Sequence, residues 1–385
     1  MSNKTILALE PWLLPLAERK RIFLEAKRAG KKIALYYSKA PDSSTFRYRV
    51  YNTFQATQQS KKWQAVFFSR SEAKTISELL PQSDIFILGR QSRWDNLISE
   101  LTDLAHQHKI NVVFDLDDLV FDKKFIPLVM NTIGETNIEY WIPYFSDIHS
   151  TSEHCDSFLV TNDFLGSQIQ SCFDKPYIVI PNSLNDEQVI ASRIYAERKL
   201  KLREPDHFIL GYFSGSPTHT NDLEVIFPEV LEFLKLHSDT IFEVVGLMNF
   251  NEAAKPFLKN GQIRLLSPVD FRKLQRRMAA VDVNLAPLVN NDFTNCKSEL
   301  KFFEAAAVET TTIASPTFAF KQAIQDGKTG FLARPGEWLD KLEYLYTHPA
   351  ENRQIALAAK DYCLKTYYGP HFLKTVESAY DSLAK

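Results

Sequence analysis

The chain reads as an α/β protein made of two doubly wound parallel-sheet domains that face each other across a cleft. Three observations lead there. Short apolar runs rich in β-branched and aromatic residues alternate with helical patterns. That series stops and restarts near the middle of the chain. The length, 385 residues, suits two cores of ordinary size. Hydrophobic residues make up 45% of the chain and charged residues 24%, the mixture of a folded globular protein.

In the first half the strand-like runs are Ile33–Tyr37, Trp63–Phe68, Asp84–Leu88, Asn111–Phe114, Ser157–Val160 and Tyr177–Ile180. Several are apolar nearly throughout, as strands covered on both faces of a parallel sheet must be. Between them, Arg93–His108 carries Leu97, Leu101, Leu104 and Ala105 at helical spacing. The second series is Ile209–Phe213, Ile241–Val245, Ile263–Leu266, Val281–Leu285 and Thr312–Ala314. The polar stretch Glu197–Asp206, which contains Pro205, separates the two. The expected units are residues 1–204, residues 205–368, and a terminal helix over 369–385 running back to the first domain. The tail reads as helices over Asn352–Tyr367 and His371–Leu383, divided by Gly369-Pro370. Open parallel sheets bind ligands beyond the carboxyl ends of their strands, so the site belongs in the cleft.

A net charge of −2 gives no support for nucleic-acid binding. No apolar run approaches the length of a membrane span, and Met1-Ser2-Asn3-Lys4 does not open a signal peptide. A cytoplasmic protein is expected. Cys155, Cys172, Cys296 and Cys363 are scattered and read as reduced thiols without a zinc site or a disulfide frame. The run Arg19–Lys32 is locally basic, with Arg19, Lys20, Arg21, Lys27, Arg28, Lys31 and Lys32 around Ile22, Phe23 and Leu24. It reads as a solvated helix face or as a peripheral contact with an anionic membrane surface.

The richest segment runs from Lys297 to Ser315 and on to Gly330: a helix opening after a loop, a buried strand, and a glycine-bracketed turn. Lys301 and Glu304 stand three apart on one helix face. The helix start near Ser298, with Lys297 before it, offers amides and positive charge for a diphosphate. Glu304 offers a carboxylate to both hydroxyls of a ribose. A second segment, Gly211 to Asp222, follows a strand and precedes a helix. In it Gly215 permits close backbone approach, Ser214, Ser216 and Thr218 supply hydroxyls, and Asn221 with Glu224 reads as a capping box.

These segments resemble the donor-binding signature of glycosyltransferase family 4, a retaining family with the GT-B fold of two Rossmann-like domains. Glu304 matches the second glutamate of its Glu-x7-Glu pair, and Lys301 a lysine seen in many members. Ala314-Ser315 and Asp326-Gly327-Lys328-Thr329-Gly330 match its later elements. Ser214-Gly215-Ser216-Pro217-Thr218-His219 resembles the diphosphate loop of a bacterial surface-polysaccharide and O-antigen branch. Asn284 to Leu288 with Phe293 resemble the approach to the donor helix, so Pro287 and Leu288 are implied to line the donor pocket. The sequence departs at Cys296, where the family has its first glutamate, and at Glu309-Thr310-Thr311, where it has Gly-x-Pro. The resemblance implies transfer of a hexosyl or deoxyhexosyl group from a nucleoside-diphosphate sugar, with retention, without metal, and with no cofactor beyond that donor.

In the first half, Asp115, Asp117 and Asp118 end a buried strand. Clustered carboxylates repel and resist burial, so the cleft mouth suits them. Asp117 or Asp118 is a candidate to contact the acceptor hydroxyl or act as a general base; a DxD metal site and a helix cap are the rival readings. Arg49 and Arg90 are candidates for an anionic acceptor such as the phosphate of a lipid-linked glycan. The competing functions are a nucleotide-sugar epimerase of the same shape and an inactive binding or scaffold protein. A dinucleotide oxidoreductase is disfavoured because neither half has a GxGxxG turn after its first strand.

Overall fold

The computed structural model describes residues 10–38, 41, 44–90, 92–214 and 220–384. Among the described residues, the apolar runs pair into two all-parallel sheets of six strands each. The first contains β1 (Lys32–Ser38), β2 (Trp63–Ser69), β3 (Ile85–Gly89), β4 (Asn111–Leu116), β5 (Ser157–Val160) and β6 (Tyr177–Val179), in the order β2-β1-β3-β4-β5-β6. The second contains β7 (Phe208–Phe213), β8 (Thr240–Val245), β9 (Ile263–Leu266), β10 (Val283–Ala286), β11 (Thr311–Ala314) and β12 (Phe331–Leu332), in the order β12-β11-β10-β7-β8-β9. Eleven of these strands coincide with runs read from the sequence. The twelfth, β12, is two residues long and too short to show a period. It is set by the turn before it: a Cβ at Gly330 would lie 2.8 Å from the Thr312 carbonyl oxygen, and Leu332 N donates to Asp326 Oδ1 at 2.8 Å.

In each sheet the winding reverses beside the first strand, between β1 and β3 and between β7 and β10. Loops leaving the carboxyl ends at such a point diverge and open a crevice. The described residues after β1, β3 and β4, and after β7 and β10, therefore belong to the cleft.

The loop after β1 is held by a buried ion pair. It forms a π-helical turn, Arg47–Tyr51, and Arg49 Nε lies 2.8 Å from Asp115 Oδ1 on β4. Arg49 also donates to the Ile180 carbonyl at 2.6 Å and to Asn182 Oδ1 at 3.3 Å. The two side chains are 3% and 2% exposed. Arg49 thus does not face an acceptor, contrary to the expectation from sequence; its guanidinium joins the β1 loop, β4 and the chain leaving β6.

The terminal helix Gly369–Leu383 lies on the first sheet. Tyr380 OH meets Tyr36 OH at 2.8 Å, Trp63 Nε1 donates to Asp381 at 3.0 Å, and Asn111 donates to the Leu383 carbonyl at 2.8 Å. Two other segments are tied into the fold at single buried cations. In the basic helix Leu16–Arg28, Arg19 is buried and donates to Glu72 and to the Phe67 carbonyl. Lys20 pairs with Glu78, and the exposed Arg21 pairs with Glu18 and Glu25 of its own helix, while Arg28 and Lys32 are exposed. The stretch read as a linker contains a short helix, Lys199–Leu202, anchored by Lys199 Nζ donating to Ala279 O, Val281 O and Thr310 Oγ1. Among the described residues no helix is long and apolar enough to cross a membrane.

Replacing Arg49 by leucine leaves the Asp115 carboxylate buried without its cation, a change that costs about 3–5 kcal/mol; the urea midpoint of Arg49→Leu should fall accordingly. Burial is the largest influence on Asp115 and pushes its pKa up to about 6 despite Arg49. Its unfolded value is near 3.9, so the folded state holds the proton more tightly between the two. Wild-type stability from this group should therefore be full below about pH 4 and decline toward pH 6. In Arg49→Leu the decline should extend to higher pH, as pH-dependent unfolding can check.

Candidate active site

On the second-domain side, β7 ends beside buried Ser214, whose N–H donates to the Val245 carbonyl at 2.9 Å. Gly215, Ser216, Thr218 and His219 lie outside the described residues. The helix Thr220–Glu224 follows. Asn221 sits within it rather than capping it: its amide donates to the Asn131 and Thr132 carbonyls of the first domain, each at 3.1 Å. Asp222 accepts from Val289 N at 2.9 Å, tying this helix to the chain after β10.

The helix carrying Lys301 and Glu304 spans Leu300–Ala306, with Glu299 at its N-cap and no side-chain capping bond. It starts beyond Ser298, which instead accepts from Asn182 Nδ2 at 2.8 Å. Asn284 on β10 donates to the Lys301 carbonyl at 3.1 Å and to Thr312 Oγ1 at 3.0 Å, fixing the helix to the sheet. Lys301 Nζ is buried and has no hydrogen-bond partner among the described residues. It lies 4.7 Å from the centre of the Tyr212 ring at the end of β7. Burial pushes its pKa down to about 8, with the Asp222 charge pulling the other way. An ammonium with donors left unmade is costly inside a protein, and an arriving anion removes that cost.

Glu304 is 3% exposed and already occupied. Its Oε1 accepts from Gln188 Nε2 at 2.8 Å and from the Tyr48 hydroxyl, with Arg47 at 3.8 Å. Tyr48 and Arg47 belong to the turn after β1, so the carboxylate sits where the two sheets' loops meet. A hydroxyl and an amide hold the oxygen that a ribose diol would take.

Pro287 and Leu288 are buried after β10, and Leu288 N donates to Ser315 Oγ at 2.9 Å. Cys296 does not face the pocket. It packs with Phe293 into the apolar cluster of the first domain, and its carbonyl accepts from Asn162 at 3.1 Å. Burial raises its thiol pKa well above the usual value. A carboxylate at this position would carry the same desolvation cost. At the other departure, Glu309 adopts φ 59°, a conformation that suits glycine. Lys360 and Arg353 bind its carboxylate at 2.7 and 2.5 Å.

On the first-domain side the candidates converge. Arg90, after β3, lies 3.0 Å from Asp117 Oδ1 and 3.5 Å from Asp118 Oδ2, and donates to Thr45 Oγ1 at 3.0 Å. Lys297 of the second domain approaches Asp118 at 3.4 Å. Asp118 therefore links cations from both sides of the cleft. The first helical turn after the cluster, Lys123–Phe125, is capped by Asp122, so the cap reading for Asp117 and Asp118 fails. Next to this ionic cluster is a cavity of roughly 450 Å³ lined by Arg90, Asp118, Trp141, Tyr144, Asp222, Phe293 and Lys297, among others.

The sequence reading did not single out Tyr48, Gln188, Asp222 or the cavity residues Tyr140, Trp141 and Tyr144. Asp222 closes the quoted segment from Gly211 and Tyr48 adjoins Arg49, but nothing local tells which of their neighbours turn inward. Gln188 shows no signal beyond its capping box with Asn185.

Lys301→Met keeps the apolar stem and removes the unpaired buried ammonium. It should stabilise the ligand-free protein by about 1 kcal/mol, seen as a higher thermal midpoint. An unchanged or lower midpoint would mean that the amine is already satisfied.

Comparison with known proteins gives a consistent picture of the fold. A family described as glycosyl transferase-like matches residues 229–378. No curated protein matches the chain. A glycosyltransferase from Rickettsia africae superposes with a TM-score of 0.64 at 13% identity, covering 92% of this chain and 99% of that one. Sucrose-phosphate synthase from Thermosynechococcus elongatus does so with a TM-score of 0.61 at 12% identity, again over 92% and 99%. HepE from Anabaena, solved with UDP and glucose, gives 0.57 at 11% identity over the same shares. The two reversed-winding sheets facing across a cleft are thus the GT-B fold of glycosyltransferases.

Proposed function

We propose that this protein is a glycosyltransferase that moves a sugar from a nucleoside-diphosphate sugar to a glycan or lipid-linked glycan acceptor. The observation that carries the reading is the buried Lys301 amine, without a hydrogen-bond partner among the described residues, at the winding reversal of the second sheet. An ammonium held there meets the diphosphate as negative charge builds on it in the transition state, which is where electrostatic help speeds transfer most. Glu304 holds the ribose by exchanging its bonds to Tyr48 and Gln188 for bonds to the sugar hydroxyls. Ser214 and the loop after it, with Lys297 and Ser298, complete the donor side, backed by Pro287 and Leu288.

Asp117 and Asp118 meet the acceptor. Their pairing with Arg90 and Lys297 suits them to orient a hydroxyl, and bringing it against the anomeric carbon is itself a large part of catalysis. HepE, a structural relative, binds UDP and glucose, which supports a nucleotide-sugar donor here. Retention of configuration, independence of metal, and a place in bacterial surface-polysaccharide synthesis at the cytoplasmic face of the membrane rest on the family resemblance.

Calorimetry with UDP and other nucleoside diphosphates tests the donor site. Affinity should be level below about pH 8 and weaken above it, because the folded Lys301 loses its proton near pH 8 while the diphosphate binds the charged amine. Lys301→Met should bind roughly ten-fold more weakly at neutral pH, with no break near pH 8. Glu304→Ala should bind roughly ten-fold more weakly at every pH. Wild-type affinity in both variants would remove the site. Donor consumption that requires an acceptor separates transfer from epimerisation, and no turnover with any nucleotide sugar would favour a binding protein.

A further inference from the structure

The cavity beside Asp118 has two unlike walls. One is aromatic and belongs to the helix Ile138–His154. The Tyr140 and Tyr144 rings lie nearly parallel, one turn apart, with centres 6.3 Å apart and planes 9° apart, and Trp141 stands edge-on to Tyr144 at 5.7 Å. The other wall is ionic, made by Asp118 with Arg90 and Lys297, and by Asp222. Trp141 Nε1 is buried and has no hydrogen-bond partner among the described residues. Indole N–H groups in buried positions usually find an acceptor. The second domain closes over this helical hairpin: Asn221 binds the carbonyls of Asn131 and Thr132, and Asn291 donates to Thr132 Oγ1 at 2.8 Å.

We propose that this cavity is a subsite for a pyranose ring of the acceptor, stacked on Tyr144 and Tyr140 and hydrogen-bonded by Trp141 Nε1 and Asp118. A pyranose presents a face of C–H groups and a rim of hydroxyls, and so meets both walls at once. A bare phosphate does not suit the site, since Arg90 and Lys297 are already answered by Asp117 and Asp118, and Arg93, which also lines it, by Asp147. An acyl chain would desolvate the ionic wall without replacing its hydrogen bonds. The inference rests on the transfer reading and narrows it: the acceptor end recognised here is a sugar. Asp118 and Asp222 line the cavity, and the Asp222 charge also acts on the Lys301 amine, which ties the subsite to the cleft that holds the proposed donor site.

The test uses the full chain on an array of bacterial and synthetic oligosaccharides, with sugar-free polyprenyl phosphate as a further spot and UDP present throughout. Wild type should retain a defined set of glycans. Tyr144→Leu, which keeps apolar bulk but loses the ring, should weaken that binding roughly ten-fold. Trp141→Phe, which keeps a ring but loses the N–H, should weaken it roughly five-fold. Tyr144→Phe, which retains the stacking face, should stay within about two-fold. The thermal shift produced by UDP should be the same in all four proteins, which also reports on folding. No retained glycan, equal retention by Tyr144→Leu and Trp141→Phe, or equal capture of the sugar-free carrier would overturn the subsite. Retained glycans without any thermal shift from nucleoside diphosphates would support the subsite and count against the transfer reading instead.

Discussion

The arrangement of this molecule depends on the reversal of winding beside the first strand of each parallel sheet. A parallel sheet must return its chain across a face between strands, and right-handed crossovers cover both faces with helices. Only at the reversal do neighbouring loops part. The two crevices face each other, so side chains leaving β1, β3 and β4 meet those leaving β7 and β10. Lys301 with Tyr212, Glu304 with Tyr48, and Asp118 with Lys297 are all products of that one constraint.

Within the cleft, charge is unevenly answered. Asp117 and Asp118 share Arg90 and Lys297, and Glu304 is satisfied by a hydroxyl and an amide. Lys301 alone among these site residues has a buried amine without a hydrogen-bond partner among the described residues. A fully paired cluster holds shape; an unpaired buried charge stores a preference for an anion. The second domain thus carries a demand for negative charge, while the first presents neutralised carboxylates and aromatic rings, a surface suited to hydroxyls.

Cys296 illustrates how packing overrides a motif. The loop from Asn291 to Ser298 belongs to the second half of the chain, yet Phe293 and Cys296 complete the apolar cluster of the first. An acidic side chain there would face hydrocarbon. The same packing holds Lys297 against Asp118.

The sequence by itself determined the strands, their division into two series and the positions where chemistry gathers, because buried parallel strands must be apolar and loops at their ends need not be. Asp117 and Asp118 stand out after β4 for that reason, whereas Lys301 and Glu304, on the helix Leu300–Ala306, stand out only by their spacing and by the resemblance. Tertiary structure alone decided what each of them faces. Arg49 and Arg90 look alike in sequence, both near strand ends, yet one is sealed against Asp115 and the other opens on the cleft. Tyr48 and Gln188 each meet Glu304 across large gaps in the chain, and the Tyr140–Tyr144 face reads locally as an ordinary amphipathic helix. Period and composition report which residues are apolar; the direction a polar side chain takes is fixed by partners that only the folded chain brings near.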